Sequence, residues 1–207
     1  MKLYIFIPFL FLSLFTFGQK ENFRQLDQES FFRIGAKAGV NINKIQGHSY
    51  KDGYNYNYLL GGFMQFNFSR RFGLQPEVNF SQSSSVFTND ATDIYDDIFR
   101  DGTQKTAKLN YLKIPVFLNI NVGESKHVKI QVGPQFGSVL KETVDSLKAN
   151  KSIFKKADWA AVGGLWLQLP LINIGGRYEL GLTNINAIDN RENWKNQGFT
   201  FFIGITL

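Results

Sequence analysis

No cysteine occurs anywhere in the 207 residues, so the chain has no disulfide, no thiolate metal site, no cysteine nucleophile and no lipid-modified N-terminal cysteine. Histidine is almost as scarce, and His48 and His127 are the entire imidazole inventory. Neither a Walker loop nor a dinucleotide-binding glycine motif is present. After the N-terminus, no apolar run approaches the roughly twenty residues of a transmembrane helix. The formal charge is +6, but the basic residues are too dispersed for a nucleic-acid face. Hydrophobic residues make up 43%, which excludes disorder by composition.

What is present begins with an export signal. Lys2 supplies a short positive region, Leu3 to Phe17 is apolar apart from Ser13 and Thr16, and Thr16 and Gly18 are small. This pattern predicts a signal peptide over 1–18, cleaved near Gly18/Gln19, and a short periplasmic segment over 19–31. The apolar stretch is shorter than a bilayer-spanning helix requires, so a retained anchor is not expected.

From Phe32 onward the chain alternates between apolar and polar residues, and it does so eight times. Phe32, Ile34, Ala36, Ala38, Val40 and Ile42 share one parity, with Arg33, Lys37 and Asn41 on the other. Comparable segments occur near 58–69, 73–81, 111–120, 128–137, 157–169, 171–183 and 197–207. Each spans about nine to thirteen residues, whereas a tilted strand needs about nine to eleven to cross a bilayer. The 21 phenylalanines and 19 glycines suit strands better than helices. Small residues crowd the polar parity (Gly35, Gly39, Gly61, Gly133, Gly137, Gly164, Gly175, Gly181, Gly204), as a narrow lumen requires. Aromatic residues gather near strand ends, where interfacial girdles lie. Connections alternate between long (43–57, 82–106, 140–156, 184–196) and short (69–72, 121–126, 168–171). The expectation is an all-β, eight-stranded, antiparallel up-and-down transmembrane barrel over 32–207, closed by pairing of the last strand with the first. Pro76, Pro115 and Pro134 fall inside strands, and each should mark a bulge or a break in the ladder.

Three segments resemble a known family. Asn110-Tyr111-Leu112-Lys113-Ile114-Pro115-Val116 is similar to a Tyr-Leu-x-Ile-Pro strand of the outer-membrane beta-barrel domain family of Bacteroidota, the PorT-like group. Val132-Gly133-Pro134-Gln135-Phe136-Gly137 and Arg177-Tyr178-Glu179-Leu180-Gly181-Leu182-Thr183-Asn184-Ile185 resemble its later strands. The resemblance covers roughly 30–207 and implies an eight-stranded outer-membrane barrel. It treats the strand prolines as family features and includes secretion-linked members without transferring a single function. Outer-membrane lipid, the barrel-assembly machinery and a protein at the extracellular loops or periplasmic rim are the expected partners, with no nucleic acid.

The inward parity carries Arg33, Lys37, Glu77, Lys113, Lys129, Asp158, Arg177 and Glu179. Charges in so narrow a lumen must pair, which favours a solid polar plug over a gate or ion path. The first loop is tyrosine-rich, and Tyr50, Tyr54 and Tyr56 form either an adaptable contact surface or part of an interfacial belt. Asp90, Asp93, Asp96, Asp97 and Asp101 match no calcium-loop spacing, and no metal or cofactor is expected. Lys141, Lys148, Lys151, Lys155 and Lys156 form a basic loop able to meet anionic headgroups or remain solvated. For catalysis, His48 with Ser83–Ser85 and Asp90 is the one candidate set at the outer rim, and no nucleophile elbow accompanies it. The reading is a non-enzymatic contact or scaffold barrel. A narrow pore, a lipid-A-modifying enzyme using His48 and a soluble periplasmic barrel for an apolar ligand are the alternatives.

Overall fold

The computed structural model describes residues 30–47, 50, 53–86, 106–123, 127–144, 153–188 and 192–207. The signal peptide, most of the segment 19–31, His48 and the aspartate-rich stretch around Asp90 lie outside them. Residues Phe31–Leu207 form one compact unit. It contains β1 (Phe32–Gln46), β2 (Asn55–Asn67), β3 (Phe72–Val86), β4 (Thr106–Asn121), β5 (Val128–Val144), β6 (Ala157–Gln168), β7 (Ile172–Gly181) and β8 (Lys195–Thr206). Each strand pairs antiparallel with the next, and β1 pairs with β8 from Gly35↔Thr206 to Gln46↔Lys195, closing the barrel. Closure leaves no free sheet edge. Among the described residues there is no helix.

Local chemistry sets the short rim. Between β2 and β3, Ser69 Oγ accepts hydrogen bonds from the amides of Arg71 (3.2 Å) and Phe72 (2.9 Å), a serine turn that reverses the chain in four residues. Gly123 holds φ 72 in the β4–β5 turn, a left-handed conformation that glycine adopts without strain. Leu169 donates to the Ile172 carbonyl at 2.9 Å across the β6–β7 turn. Phe32 and Leu207 lie on this same rim, so the long connections are all at the other end.

The prolines interrupt the ladder without shifting it. Pairing of β2 with β3 lapses between Phe63↔Glu77 and Phe66↔Leu74, and that of β3 with β4 between Pro76↔Val116 and Asn79↔Lys113. The β4–β5 ladder lapses between Pro115↔Gln135 and Leu118↔Val132. Residue counts on the two sides of each gap are equal, so register is kept. The β4–β5 register does shift between Asn110 and Tyr111, where Leu140 is the extra residue of a bulge. The strands also run longer than the alternation alone indicates. β3 continues to Val86 and β5 to Val144.

The outward parity is apolar for most of each strand's length, including Ile34, Val40, Leu60, Val78, Ile114, Val132, Leu165, Ile174, Phe201 and Ile203. Such a belt belongs in lipid. Towards the long-loop rim the pattern inverts. Outward Ile42 gives way to Lys44, outward Leu112 to Asn110 and Lys108, and outward Phe199 to Gln197 and Lys195. On the inward parity of the same strands, buried Asn41 and Asn43 give way to buried Ile45, and buried Lys113 to Leu109 and Ala107. The upper barrel therefore has a water-facing exterior and an apolar interior, whereas the lower barrel has the reverse. A soluble barrel of the lipocalin type would keep the upper pattern throughout, so the apolar-ligand alternative does not describe this wall.

Candidate functional site

The lumen is built around Glu77 of β3. Its carboxylate accepts from Lys37 Nζ of β1 at 2.5 Å and from both terminal nitrogens of Arg177 of β7 at 2.8 Å each. Gln75 Nε2 (2.8 Å) and Asn79 Nδ2 (3.1 Å) also donate to it. The two-pronged Arg177 fork crosses the barrel from β7 to β3, tying opposite walls together. Arg177 donates further to Gln131 Oε1, from Nε at 2.9 Å and Nη2 at 2.6 Å. The Glu77 side chain is fully buried. The charges of Glu77, Lys37 and Arg177 are matched to one another, which is the condition under which charges tolerate burial, while Asn79 Oδ1 beside them is buried without a hydrogen-bond partner.

Aromatic rings fill the rest of this level. The Arg177 guanidinium lies 4.1 Å from the Phe117 ring centroid and 4.6 Å from that of Phe202, and Lys37 Nζ is 4.5 Å from Phe202. Trp166 contacts Phe63 edge-on at 5.0 Å and Phe202 at 5.3 Å. Glycines on the same face leave the room these rings occupy. A Cβ at Gly175 would stand 2.1 Å from Phe202 Cζ, and one at Gly35 would stand 2.4 Å from Phe63 Cζ.

A second ion pair sits nearer the outer rim, where Lys113 Nζ meets Glu179 at 2.6 and 2.8 Å. Arg177 and Glu179 share a face of β7 yet serve different partners. Asp158 Oδ2 accepts from Asn196 Nδ2 at 2.9 Å, and the same nitrogen donates to Tyr111 Oη at 2.9 Å. Lys129 is wholly buried on the inward face near the short-turn rim, and Arg33 points inward at that end, beside Gln65. Asn119, Gln75 and Gln131 form a chain of amide hydrogen bonds below Glu77. The internal gap beside Asn41, Lys113, Phe117 and Glu179 has room for about one water molecule.

The outer mouth is closed differently. Ile45, Tyr50, Ala107, Leu109, Ile153, Phe154, Ile185 and Trp194 form a buried apolar cluster drawn from strand ends and long connections. Trp194 is edge-on to Tyr50 at 5.1 Å and 5.6 Å from Phe154. Its indole Nε1 donates to Glu192 Oε2 at 3.0 Å, and a Phe154↔Asn186 bridge joins two of the connections. Tyr50 therefore does not belong to a contact surface, because packing on Trp194 leaves it 5% exposed. Tyr54 and Tyr56 are exposed, Tyr56 most of all at 76%.

The serines of the catalytic candidate set are also turned inward. Ser83 Oγ accepts from Asn43 Nδ2, and Ser84 Oγ donates to Asn57 Oδ1 at 3.0 Å. Ser83 pairs with Leu109 and Ser84 with Lys108, at the level of the apolar cluster, while His48 and Asp90 fall outside the described residues. His127 is at the short-turn rim, its Nδ1 2.9 Å from the Gln168 carbonyl. No group of three metal-ligating side chains occurs among the described residues.

The inward aromatics were not anticipated from the alternation, which had marked this parity as polar or small. The signal was available: Phe63 shares parity with Gly61 and Gln65, and Phe202 with Thr200 and Gly204. Large residues at those positions require partners that are absent or small, and glycine supplies the space.

A closed eight-stranded barrel with a lipid-facing apolar belt, a polar filled lumen and one rim of long connections is an outer-membrane barrel. The chain belongs to the family described as the outer membrane protein beta-barrel domain, whose model matches residues 17–187. Among solved structures it is similar to Ail, the attachment invasion locus protein of Yersinia pestis, in complex with the heparin analogue sucrose octasulfate. That likeness has 13% identity and a TM-score of 0.51, covering 86% of this chain and 100% of that one. It is also similar to Neisserial surface protein A, at 14% identity and a TM-score of 0.50, covering 86% and 98%. At such identities the likeness concerns the fold. No curated protein sequence matches the chain.

Proposed function

We propose that this outer-membrane barrel is non-enzymatic and non-conducting, and that it acts through its outer rim as a contact or scaffold protein. The observation that carries this reading is the filled lumen, in which the Arg177–Glu77 fork and the Trp166 cluster occupy the cross-section. A wall so closed has its chemistry on its edges, and the exposed Tyr54 and Tyr56 stand at the long-loop edge. Tyrosine suits such a role because it offers large, rigid contact area with a polar tip. The resemblance of the β4, β5 and β7 segments to the PorT-like group of Bacteroidota supports service to a secretion or surface assembly.

Two experiments test the reading. In planar bilayers the folded protein is expected to give no stepwise conductance, and discrete channels that change with Arg177→Ala would replace the sealed barrel by a narrow pore. A photo-crosslinking amino acid at Tyr56 should yield a discrete protein adduct in intact envelopes. Adducts with lipid alone, equal to those from Leu60 lower on β2, would sink the contact role. Deacylation or acyl transfer on lipid A that is lost with His48→Ala would show an enzyme instead.

A further inference from the structure

On one side of the barrel, at the outer boundary of the apolar belt, the charges of the described exterior residues are of one sign. On the β4–β5–β6 side, Lys108, Lys141, Lys155 and Lys156 are all exposed. Asn110 pairs with Lys141 and Lys108 with Thr143, so the two lysines are diagonal neighbours on one face, about 7–8 Å apart. The Lys156 carbonyl accepts from the Val139 amide at 2.8 Å, two residues before Lys141, and the Lys155 amide donates to Ile185 at 2.8 Å. The strand register thus gathers the four lysines at one corner of the rim.

No described carboxylate shares that exterior. Glu77, Asp158 and Glu179 are in the lumen, Glu142 Oε1 accepts from the Ile153 amide at 2.9 Å, and Glu192 accepts from Trp194. Below the lysines the wall turns apolar: Trp159 is 51% exposed and meets Phe136 edge-on at 5.2 Å, Ile114 lies beside Phe136, and Leu140 projects from the bulge. This is an amphipathic corner, with cations above and an aliphatic and aromatic face beneath.

We propose that this corner binds the phosphate groups of a phosphorylated lipid in the outer leaflet, its acyl chains lying along Ile114, Phe136 and Trp159. Long lysine stems reach upward from the edge of the belt while their ammonium groups meet the headgroup layer. Phosphate is the matching anion, because it is multiply charged and stands at the depth where the side chains change from apolar to basic. Lysine, a flexible point charge, suits it without fixed geometry. The inference rests on membrane insertion and is independent of any protein partner.

The test places the folded full-length chain in phosphatidylcholine nanodiscs containing either bis-phosphorylated lipid A or the same lipid fully dephosphorylated. Native mass spectrometry then counts the lipid retained per barrel. The phosphorylated form should be retained at least about tenfold better, and Lys108→Gln/Lys141→Gln/Lys155→Gln/Lys156→Gln should abolish the preference. Arg70→Gln/Arg71→Gln at the opposite rim should leave it intact. Equal retention of the two lipids, or an unchanged preference in the fourfold variant, would overturn the proposal. So would displacement of the lipid by excess inorganic phosphate, which would make the site a phosphate site without lipid. Heat-dependent gel mobility reports whether the variant folds, and if it does not, the contrast between the two lipids on the unaltered chain decides alone.

Discussion

Two parts of this barrel's interior are equally buried and chemically opposite. Around Glu77 the lumen holds ion pairs and amides with aromatic rings between them, whereas around Trp194 it holds aliphatic and aromatic side chains. The same strands build both. The difference follows the solvent on the other side of the wall. Where lipid surrounds the barrel, apolar side chains gain nothing by turning inward, so the interior is free to be polar if each group is matched. Where water surrounds it, the hydrophobic effect returns and drives Ile45, Leu109 and Trp194 inside. One sheet thus folds by membrane rules below Ile42 and by aqueous rules above it.

Mutations should separate the two regimes. Glu77→Ala leaves Lys37 and Arg177 buried without their shared carboxylate, and should destabilise the folded barrel by about 3–5 kcal/mol, read as the urea midpoint in vesicles. Trp194→Ala should cost about 3 kcal/mol by opening a cavity, but hydrogen exchange should rise at the outer mouth and leave the Glu77 level protected. An effect spread evenly over both levels would remove the distinction drawn here. On the outside of β8, Ile203→Lys should cost about 2–4 kcal/mol because it places a charge in the apolar belt, while Gln197→Lys above the belt should be near neutral. Smallest among these, Gly175→Ala should cost about 1–3 kcal/mol through collision with Phe202, with Gly163→Ala on the outward face as the quiet control. Equal effects from the two glycines would mean that the ring does not need the space.

Much of this was readable from the residues. Period-two alternation marked eight strands, and glycine on the polar parity marked that face as the crowded interior rather than a solvated surface. Lys37, Glu77, Lys113, Asp158, Arg177 and Glu179 followed from parity alone. Their partners did not. Arg177 and Glu179 are two apart, yet one bonds to Glu77 and the other to Lys113, because the stagger of the strands determines which levels meet across the lumen. Tyr50 shows the same limit, since its position in a tyrosine-rich loop suggested contact and its packing on Trp194 buries it. The prolines fell between. Each broke the ladder as expected, but the register shift lies at Leu140, where no proline stands.

The sequence by itself determined the strand count, the inward and outward faces, the alternation of long and short connections and the compartment that such a wall implies. These depend on neighbours along the chain, where a strand's period of two leaves no freedom. The tertiary structure alone decided which charges pair, that aromatic rings seal the lumen at the level of Glu77, and where the polarity of the wall inverts. Those depend on strand stagger and on the height of each residue relative to the membrane, which alternation along one strand does not encode.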